Sequence, residues 1–333
     1  MMPKITMRIE IVRSSFKHIS SLSEKSAIDI IATLSKHYSD VTMTNVDNTA
    51  DLAALIARKP DLVFAGIYHV SDAAHGGAKV WLADELEKND IAHTGSGKSA
   101  NRLSLNKHLA KQRLIECGIQ TAAFSLARRS DATPVNEGAL RFPLFVKPSN
   151  KSGGQGVDEF SIVRTTAQLQ SKVQSIHTDE LTDAIIEEYL EGREYSIAVM
   201  GNVEDDTLTA MPLELVATKD INGERMLGNV IKNLNIESSY EVTNAAERLV
   251  LESFAIDAFR ALGARGYGRI DVRLDGNGVP NFLEANLIPG LIGIDNYFPK
   301  ACRINQGMDN EAMIMKIVEL ALSHEPKLPA VAL

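Results

Sequence analysis

The segment 268–286 constrains the fold of this chain more than any other part of its sequence. Two runs in which polar and apolar residues alternate, 268–274 and 281–286, flank the turn Asp275-Gly276-Asn277-Gly278. Asp-Gly and Asn-Gly pairs between alternating runs are typical of a β-hairpin, because glycine readily adopts the backbone conformation that a tight turn requires. We therefore predict two antiparallel strands joined at this turn.

Polar side chains gather on one face of the predicted hairpin. Arg269 and Asp271 lie two residues apart on one strand, and Glu284 and Asn286 do so on the other, so each pair shares a face. Two carboxylates and an amide oxygen suit Mg²⁺, and a neighbouring arginine can hold a phosphoryl group or an oxyanion. The opposite face is predicted to be apolar, with Ile270, Val272, Phe282, Leu283 and Ala285. The pattern alone allows a metal site and a solvent-facing polar surface equally.

Two further segments are typical of nucleotide contacts. A predicted strand at 142–146 leads into Lys147, and a loop of small residues follows at 149–156. Such a loop can offer backbone N–H groups to phosphate oxygens, although it lacks a Walker A ending and is also typical of a surface turn. Residues 187–194 join a strand to a turn, which suits an inter-domain hinge that contacts adenine, and equally an acidic surface turn.

The remaining sequence predicts an α/β (α+β) protein of three units. Over residues 1–95, short strand-like runs take turns with stretches of helical periodicity, which indicates a parallel α/β domain. The turn at 94–97 places a boundary there, so we predict a central unit at 96–189 and a C-terminal unit at 190–333. In the first unit, strands are predicted at residues 4–12 and 61–66, and helices at residues 23–37 and 79–88. Further helices are predicted from Ser99 or Asn101 to Cys117 and over residues 244–262.

Composition narrows the classes of function. The formal net charge of −8 argues against nucleic acid as a partner, and no apolar run is long enough to cross a bilayer. The only cysteines, Cys117 and Cys302, form no CxxC pair, so a disulfide framework and a structural zinc site are both disfavoured. Without a signal-peptide pattern, we expect a cytoplasmic protein that acts on small molecules.

Taken in order, these segments resemble the D-alanine–D-alanine ligase family of the ATP-grasp superfamily. The likeness runs over about residues 64–320 and is strongest at 267–290. There, Gly-Tyr-Gly-Arg-Ile-Asp-Val-Arg-Leu-Asp-Gly-Asn-Gly precedes Phe-Leu-Glu-Ala-Asn-Leu-Ile-Pro-Gly. The resemblance implies a three-domain ATP-grasp fold in which two domains clamp ATP. It also implies an ADP-forming enzyme that joins a carboxylate to an amine through an acyl phosphate.

The resemblance also implies cofactors, partners and residue roles. It implies ATP with two Mg²⁺ ions, for which Mn²⁺ can substitute, amino-acid or dipeptide-precursor substrates, and a homodimer. The implied phosphate contacts are Lys107, Lys147, Gly153, Gly154, Gly156 and, in a loose alignment, Lys232. The implied adenine and ribose contacts are Glu187, Tyr189, Leu190 and Glu194. The implied metal ligands are Asp271, Glu284 and Asn286. The implied groups that stabilise a tetrahedral intermediate are Arg269 and the Gly290 N–H.

The substrate side of the sequence departs from the family pattern. Residues 13–16 (Arg-Ser-Ser-Phe) replace a segment whose glutamate binds the first substrate's amino group, and Gly153 and Asn233 replace a serine and a tyrosine linked to it. Residues 294–297 (Ile-Asp-Asn-Tyr) replace a Ser-Leu pair that contacts the second substrate's carboxylate. We therefore expect a carboxylate–amine ligase whose substrates need not be two D-alanines. The alternatives are a divergent D-alanine–D-alanine ligase of peptidoglycan synthesis and a non-catalytic nucleotide-binding regulatory protein.

Overall fold

The computed structural model of the chain describes residues 3–16, 19–72, 76–131, 135–151, 153–203, 206–217, 237–293 and 295–324. The strands of this part, numbered in chain order, are β1 (Ile5–Arg13), β2 (Tyr38–Asn45), β3 (Leu62–Ala65), β4 (His69–Asp72), β5 (Ala78–Trp81), β6 (Ala92–His93), β7 (Phe124–Ala127), β8 (Leu144–Pro148), β9 (Ile162–Val163), β10 (Ala184–Glu188), β11 (Glu194–Gly201), β12 (Thr209–Val216), β13 (Ser238–Glu241), β14 (Gly266–Leu274) and β15 (Pro280–Asn286). Its helices are α1 (Glu24–Leu34), α2 (Thr49–Ala57), α3 (Leu82–Lys88), α4 (Lys98–Ser104), α5 (Lys107–Glu116), α6 (Thr166–Ser175), α7 (Ala245–Ala261), α8 (Tyr297–Gln306) and α9 (Asn310–Leu322).

The N-terminal sheet is parallel and has the strand order β2-β1-β3-β6. Both of its faces are covered, so the inner strand β3 (Leu-Val-Phe-Ala) is apolar throughout and fully buried. Ile9 and Ile11 pack with α1 and α9 on one face. Val12 and Val63 pack with α2 and α3 on the other. The predicted parallel α/β arrangement at the N-terminus is confirmed.

The helix predicted at 79–88 is partly wrong. Residues 78–81 form β5, which pairs with β4, and α3 begins only at Leu82. Val80 lies opposite Val70, and the Trp81 ring meets the His69 ring edge-on at 5.4 Å. These cross-strand contacts favour a strand over the helical spacing of the sequence.

The middle sheet is antiparallel and has the order β7-β10-β8-β9. Strand β8 ends in Lys147-Pro148, and β10 ends in Glu187-Glu188, so both ends carry predicted site residues. In the register of this sheet, Glu187 lies opposite Phe145 and Ile185 lies opposite Lys147. Lys147 and Glu187 are therefore diagonal neighbours on one face of the sheet.

The C-terminal sheet is antiparallel and has the order β13-β12-β11-β14-β15. The predicted hairpin is confirmed, with Arg269 opposite Asn286 and Asp271 opposite Glu284. The pairing then shifts, because Val272 lies opposite Phe282 and Leu283 is an extra residue of β15. This bulge places Leu283 among polar residues of a cavity, so its predicted position on the apolar face is wrong.

The single helix predicted up to Cys117 is two helices, α4 and α5. Asn106 separates them, and its side chain accepts a hydrogen bond from the Leu109 N–H at 3.1 Å. This N-cap makes Lys107 the first residue of α5. The cap, rather than any break in apolar spacing, positions the lysine.

The N-terminal and C-terminal sheets contribute to two large apolar cores, whereas the middle sheet packs against α6 in a core of its own. Helices α8 and α9 join the N-terminal sheet with β11 and β12 in one core. Helices α4 and α5 join α7 and the β14–β15 hairpin in another. The unit limits 1–95, 96–189 and 190–333 stay a prediction. Within the described residues, no helix has both the length and the apolar character of a membrane span.

Candidate active site

Two adjacent cavities lie beside the β14–β15 hairpin. The first, called the cleft, encloses about 770 Å³ together with its open mouth. Its lining includes the charged side chains of Lys147 and Asp271 and the apolar side chains of Phe145, Leu190 and Leu283. Such a mixture suits a ligand that has a flat apolar part and an anionic part.

The second cavity, called the chamber, encloses about 1220 Å³ together with its mouth. Residues far apart in the sequence line it, among them Ser21, Tyr68, Arg269, Asn286 and Gly290. Lys107, Lys151 and Glu284 line both the cleft and the chamber. A ligand in the cleft can therefore meet a ligand in the chamber at these three side chains.

The hairpin presents the three predicted metal ligands close together, and each already has partners. Asp271 accepts hydrogen bonds from Arg269 Nε and Nη2 at 2.8 and 2.9 Å, and from the Ser196 hydroxyl at 2.8 Å. The Asn286 Oδ1 accepts from the Tyr68 hydroxyl at 3.3 Å.

Glu284, the third predicted ligand, forms an ion pair with Lys107 at 3.1 Å. Within the described ranges, no group of three His, Cys, Asp or Glu side chains is arranged to hold a metal ion. The set of two carboxylates and one amide oxygen nevertheless has the donor chemistry that Mg²⁺ prefers.

Glu187 lies buried between two lysines at the base of the cleft. Its Oε1 is 2.7 Å from Lys111 Nζ, and its Oε2 is 2.8 Å from Lys147 Nζ. Burial alone would raise the pKa of Glu187, but the two ammonium groups lower it to about 2. Burial likewise acts to lower the pKa of Lys147, and Glu187 and Glu284 outweigh it and raise that pKa. Lys147 is therefore held as a buried cation.

Lys107 connects α5 to the glycine loop. Its ammonium group donates a hydrogen bond to the Lys151 carbonyl, and its backbone N–H donates to the Ser149 carbonyl at 3.0 Å. The side chain is 8% exposed and reaches Glu284. Lys107 therefore lies where the loop, the hairpin and both cavities meet.

The predicted phosphate loop divides between the two cavities. Gly154 lines the cleft and Gly153 lines the chamber, and both have positive φ. Gly156 also has positive φ (+72°), and a Cβ there would lie 2.5 Å from Pro148 Cγ. Gly156 lines neither cavity, so it contributes the turn that brings the loop back to β8.

The hinge residues Tyr189, Leu190 and Glu194 all line the cleft. Arg273 holds two of them. It donates a hydrogen bond to the Tyr189 hydroxyl at 3.0 Å, with its guanidinium group 5.0 Å from the ring centre, and it lies 3.4 Å from Glu194 Oε2.

Arg269 and Gly290 meet in the chamber. The Arg269 guanidinium group lies 5.3 Å from the centre of the Tyr297 ring, and the Tyr297 hydroxyl donates to Glu237. Gly290 packs against Asn296, whose Cγ would lie 2.7 Å from a Cβ at that position. The chamber is thus crowded at the point where the Gly290 backbone faces it. Lys232 and Asn233 lie outside the described residues.

Three residues of the site were missed in the sequence. Lys111 lies one helical turn after Lys107, so the two share a face of α5, and that spacing is the signal that could have found it. Arg273 lies two residues after Asp271 on the same strand, so it shares the polar face. Tyr68 comes from the N-terminal part of the chain, and no local pattern marks it.

Comparison with known proteins places these observations in a family context. A family model described as "D-ala D-ala ligase C-terminus" matches residues 114–319. A D-alanine–D-alanine ligase of Xanthomonas axonopodis is 30% identical over 290 residues, which are 83% of each chain. An uncharacterised protein of Sinorhizobium fredii is 31% identical over 239 residues, covering 71% of this chain and 68% of that relative.

The same comparison extends to solved structures. The crystal structure of D-alanine–D-alanine ligase from Bacillus anthracis, complexed with ATP, has a TM-score of 0.72 to this chain. The two are 20% identical, and the match covers 95% of this chain and 97% of the other. This likeness confirms the predicted fold class.

Proposed function

Because this chain belongs to the D-alanine–D-alanine ligase family of ATP-grasp enzymes, we propose that it joins a carboxylate to an amine at the expense of ATP. ADP and phosphate are the expected by-products. The proposal includes an acyl-phosphate intermediate and, as substrates, amino acids or an amino acid and a small carboxylate. A homodimer is part of the same proposal.

One observation carries this proposal. The cleft and the chamber share Lys107 and Glu284, which form an ion pair at the junction. Phosphoryl transfer from a nucleotide to a carboxylate requires the terminal phosphate and the acceptor to meet while water is kept away. The junction of the two cavities gives the two groups a common meeting point beside a lysine and a carboxylate.

We propose that the cleft binds ATP. Tyr189 and Leu190 would contact the adenine, and Glu194, held by Arg273, would contact the ribose. Both carboxylate oxygens of Glu187 face lysines, so its contribution to the adenine pocket would come from the rest of the residue.

The phosphates would lie among cations of the cleft. Lys107 and Lys147 would neutralise their charge, and the N–H groups of the loop around Gly153, Gly154 and Gly156 would cover them. Lys232 is proposed as a further phosphate contact from its place in the sequence alone.

Asp271, Glu284 and Asn286 would hold the proposed Mg²⁺ ions. Bound there, the ions would supply positive charge that offsets the charge of the phosphates. The rest of the chemistry falls to the chain. Arg269 and Gly290 line the chamber, where the Arg269 guanidinium group and the Gly290 N–H would donate hydrogen bonds to an oxyanion.

The proposed reaction has two steps. A carboxylate oxygen of the first substrate attacks the γ-phosphorus, the bond to ADP breaks, and an acyl phosphate forms. The neutral amine of the second substrate then attacks the acyl carbon, phosphate leaves, and the departing phosphate takes up the proton that the amine loses. Arg269 would stabilise the tetrahedral oxyanion that forms when the amine attacks and that lasts until phosphate leaves.

A divergent D-alanine–D-alanine ligase is the second candidate, favoured by the 30% identity to the Xanthomonas enzyme over 83% of both chains. The chamber is lined by Asp295, which belongs to the segment that replaces the family's Ser-Leu pair, and this replacement favours substrates other than two D-alanines. The two candidates differ in their requirement for D-alanine.

The test is ADP release from Mg-ATP with a panel of carboxylates and amines, followed by mass spectrometry of the product. We expect ADP to form only with a productive pair, in equal amount to an amide product. ADP release that requires D-alanine would support the second candidate. Binding of ATP without ADP release on any pair would instead support a non-catalytic regulatory protein.

A further inference from the structure

Lys111 is a buried lysine to which the proposed function gives no role. Its side chain is 0% exposed and lies on α5, one turn after Lys107. The ammonium group is 2.7 Å from Glu187, and it donates hydrogen bonds to the Phe282 carbonyl at 3.1 Å and to the Thr121 hydroxyl. Burying an ammonium group is costly unless it is paired and hydrogen-bonded, so this site is built to hold a cation.

Lys111 lies behind the cleft rather than in it. It is part of the lining of neither cavity, whereas Glu187 and Lys147 line the cleft. It therefore contacts the cleft through Glu187.

The charges of the three groups decide what Lys111 can do. Glu187 lies 2.8 Å from Lys147 on its other oxygen, and all three side chains are buried. Two ammonium groups and one carboxylate leave one net positive charge. Without Lys111, Glu187 and Lys147 would neutralise each other, and the cleft would lose that charge at the point where the proposed phosphates bind.

We propose that Lys111 is a positioning residue that keeps Lys147 effective as a phosphate-binding cation, by occupying one oxygen of Glu187 and balancing its charge. The inference rests on the proposed function, because it assumes that anionic phosphates enter the cleft. The two lysines of α5 then have different roles, because Lys107 lies at the junction of the cavities and Lys111 lies behind the Glu187 carboxylate.

A purely structural role is the competing explanation. Lys111 joins α5 to β15 through Phe282 and to the residues before β7 through Thr121, so its loss can loosen the whole cleft. A loosened cleft would bind every ligand more weakly, whereas loss of charge would weaken the binding of anionic ligands only. Adenosine and Mg-ADP distinguish the two, because adenosine lacks phosphates.

The experiment measures the affinities of Mg-ADP and adenosine by calorimetry on the full chain. Lys111→Met is expected to lower the affinity for Mg-ADP about tenfold and to keep the affinity for adenosine within about twofold of the wild type. The double variant Lys111→Met/Glu187→Gln removes one charge of each sign, which leaves Lys147 as the net cation. It is therefore expected to restore Mg-ADP affinity to within about threefold of the wild type.

A matched control tests the loss of a partner from another buried carboxylate. Glu10 in the N-terminal sheet is as buried as Glu187, at 2% exposure, and pairs with Arg58 at 2.6 Å. Arg58→Met should change neither affinity, since Glu10 lines neither cavity.

Several results would contradict the proposal. Lys111 would have a structural role if Lys111→Met lowered the affinities for Mg-ADP and adenosine equally. The same would follow if the double variant did not recover Mg-ADP affinity. If Lys111→Met does not fold, Glu187→Gln decides, because the proposal requires it to bind Mg-ADP at least as tightly as the wild type. A wild-type chain that binds neither Mg-ADP nor Mg-ATP would overturn the proposed function itself, and this inference with it.

Discussion

At the scale of single residues, Glu284 is the carboxylate that lines both cavities. It faces Lys107 at the junction and is one of the proposed metal ligands. Glu284→Gln keeps the shape of the side chain and removes its charge. We expect turnover to fall about 100-fold, because a proposed metal ligand loses its charge, while the thermal midpoint changes by only a few degrees.

A matched control for this variant lies in the same sheet. Glu214 on β12 has a side-chain exposure of 22%, against 21% for Glu284, and pairs with Arg193 at the surface. Glu214→Gln should keep turnover within about twofold of the wild type. Equal turnover in the two variants, measured as steady-state ADP release, would show that Glu284 has no special role.

The pH dependence of nucleotide binding is set by Lys111 in this account. Burial lowers the pKa of Lys111 to about 8, with Lys147 and Lys107 adding to the effect and Glu187 opposing it. Below that pKa the group of Lys111, Glu187 and Lys147 carries one net positive charge, and above it the charge is lost. Mg-ADP affinity should therefore fall as pH rises from 7 to 9.

Two comparisons isolate the origin of that fall. Lys111→Met should lack the step near pH 8, because it has no ammonium group to lose. Adenosine affinity should be flat over the same range in the wild type. A step near pH 8 that persists in Lys111→Met would place the titrating group elsewhere.

At the scale of elements, the glycine loop depends on the turn at Gly156. Alanine there has to adopt φ near +72° and meets Pro148, whereas a Cβ at Gly276 in the hairpin turn would have no neighbouring atom within 4 Å. Gly156→Ala should lower the free energy of unfolding by about 1–3 kcal/mol. Gly276→Ala should lower it by less than about 1 kcal/mol.

Chemical denaturation of the two variants checks this prediction. The loop variant should also lose turnover, because a displaced turn moves Gly153 and Gly154. Equal stabilities of the two variants would show that the loop tolerates a side chain at Gly156.

The elements also show where the sequence was informative. The hairpin was predictable because its turn and its alternation agree, so the register that pairs Asp271 with Glu284 follows. The bulge at Leu283 was not predictable, since one extra residue leaves no periodic signal. The break between α4 and α5 depends on one capping side chain, Asn106, in a stretch that is otherwise helical.

Contacts between distant parts of the chain could not be predicted from the sequence either. The Tyr68 hydroxyl reaches Asn286 across 218 positions, and the Lys111 ammonium reaches the Phe282 carbonyl across 171. Such contacts follow from the packing of whole elements, which single-sequence patterns do not specify. The roles of Lys107 and Lys147 came from the family resemblance, and their burial beside carboxylates came from the structure.

At the scale of the whole molecule, the nucleotide side and the substrate side differ in how they follow the family. The predicted ATP residues that the structure describes gather around the cleft and the adjoining loop. The chamber instead contains Asp295, Asn296 and Tyr297, which stand where the family pattern has a Ser-Leu pair. We therefore predict that D-alanine is not required for ADP release. A strict requirement for D-alanine across the panel would favour the divergent D-alanine–D-alanine ligase.

In the proposed mechanism, ATP activates a carboxylate as an acyl phosphate at the junction of the two cavities. The most direct measurement uses a productive carboxylate substrate labelled with ¹⁸O, with mass spectrometry of the phosphate released. We predict that one ¹⁸O atom per turnover moves from the carboxylate to phosphate, because phosphate leaves with the carboxylate oxygen that attacked ATP. Unlabelled phosphate, formed together with amide product, would contradict the account.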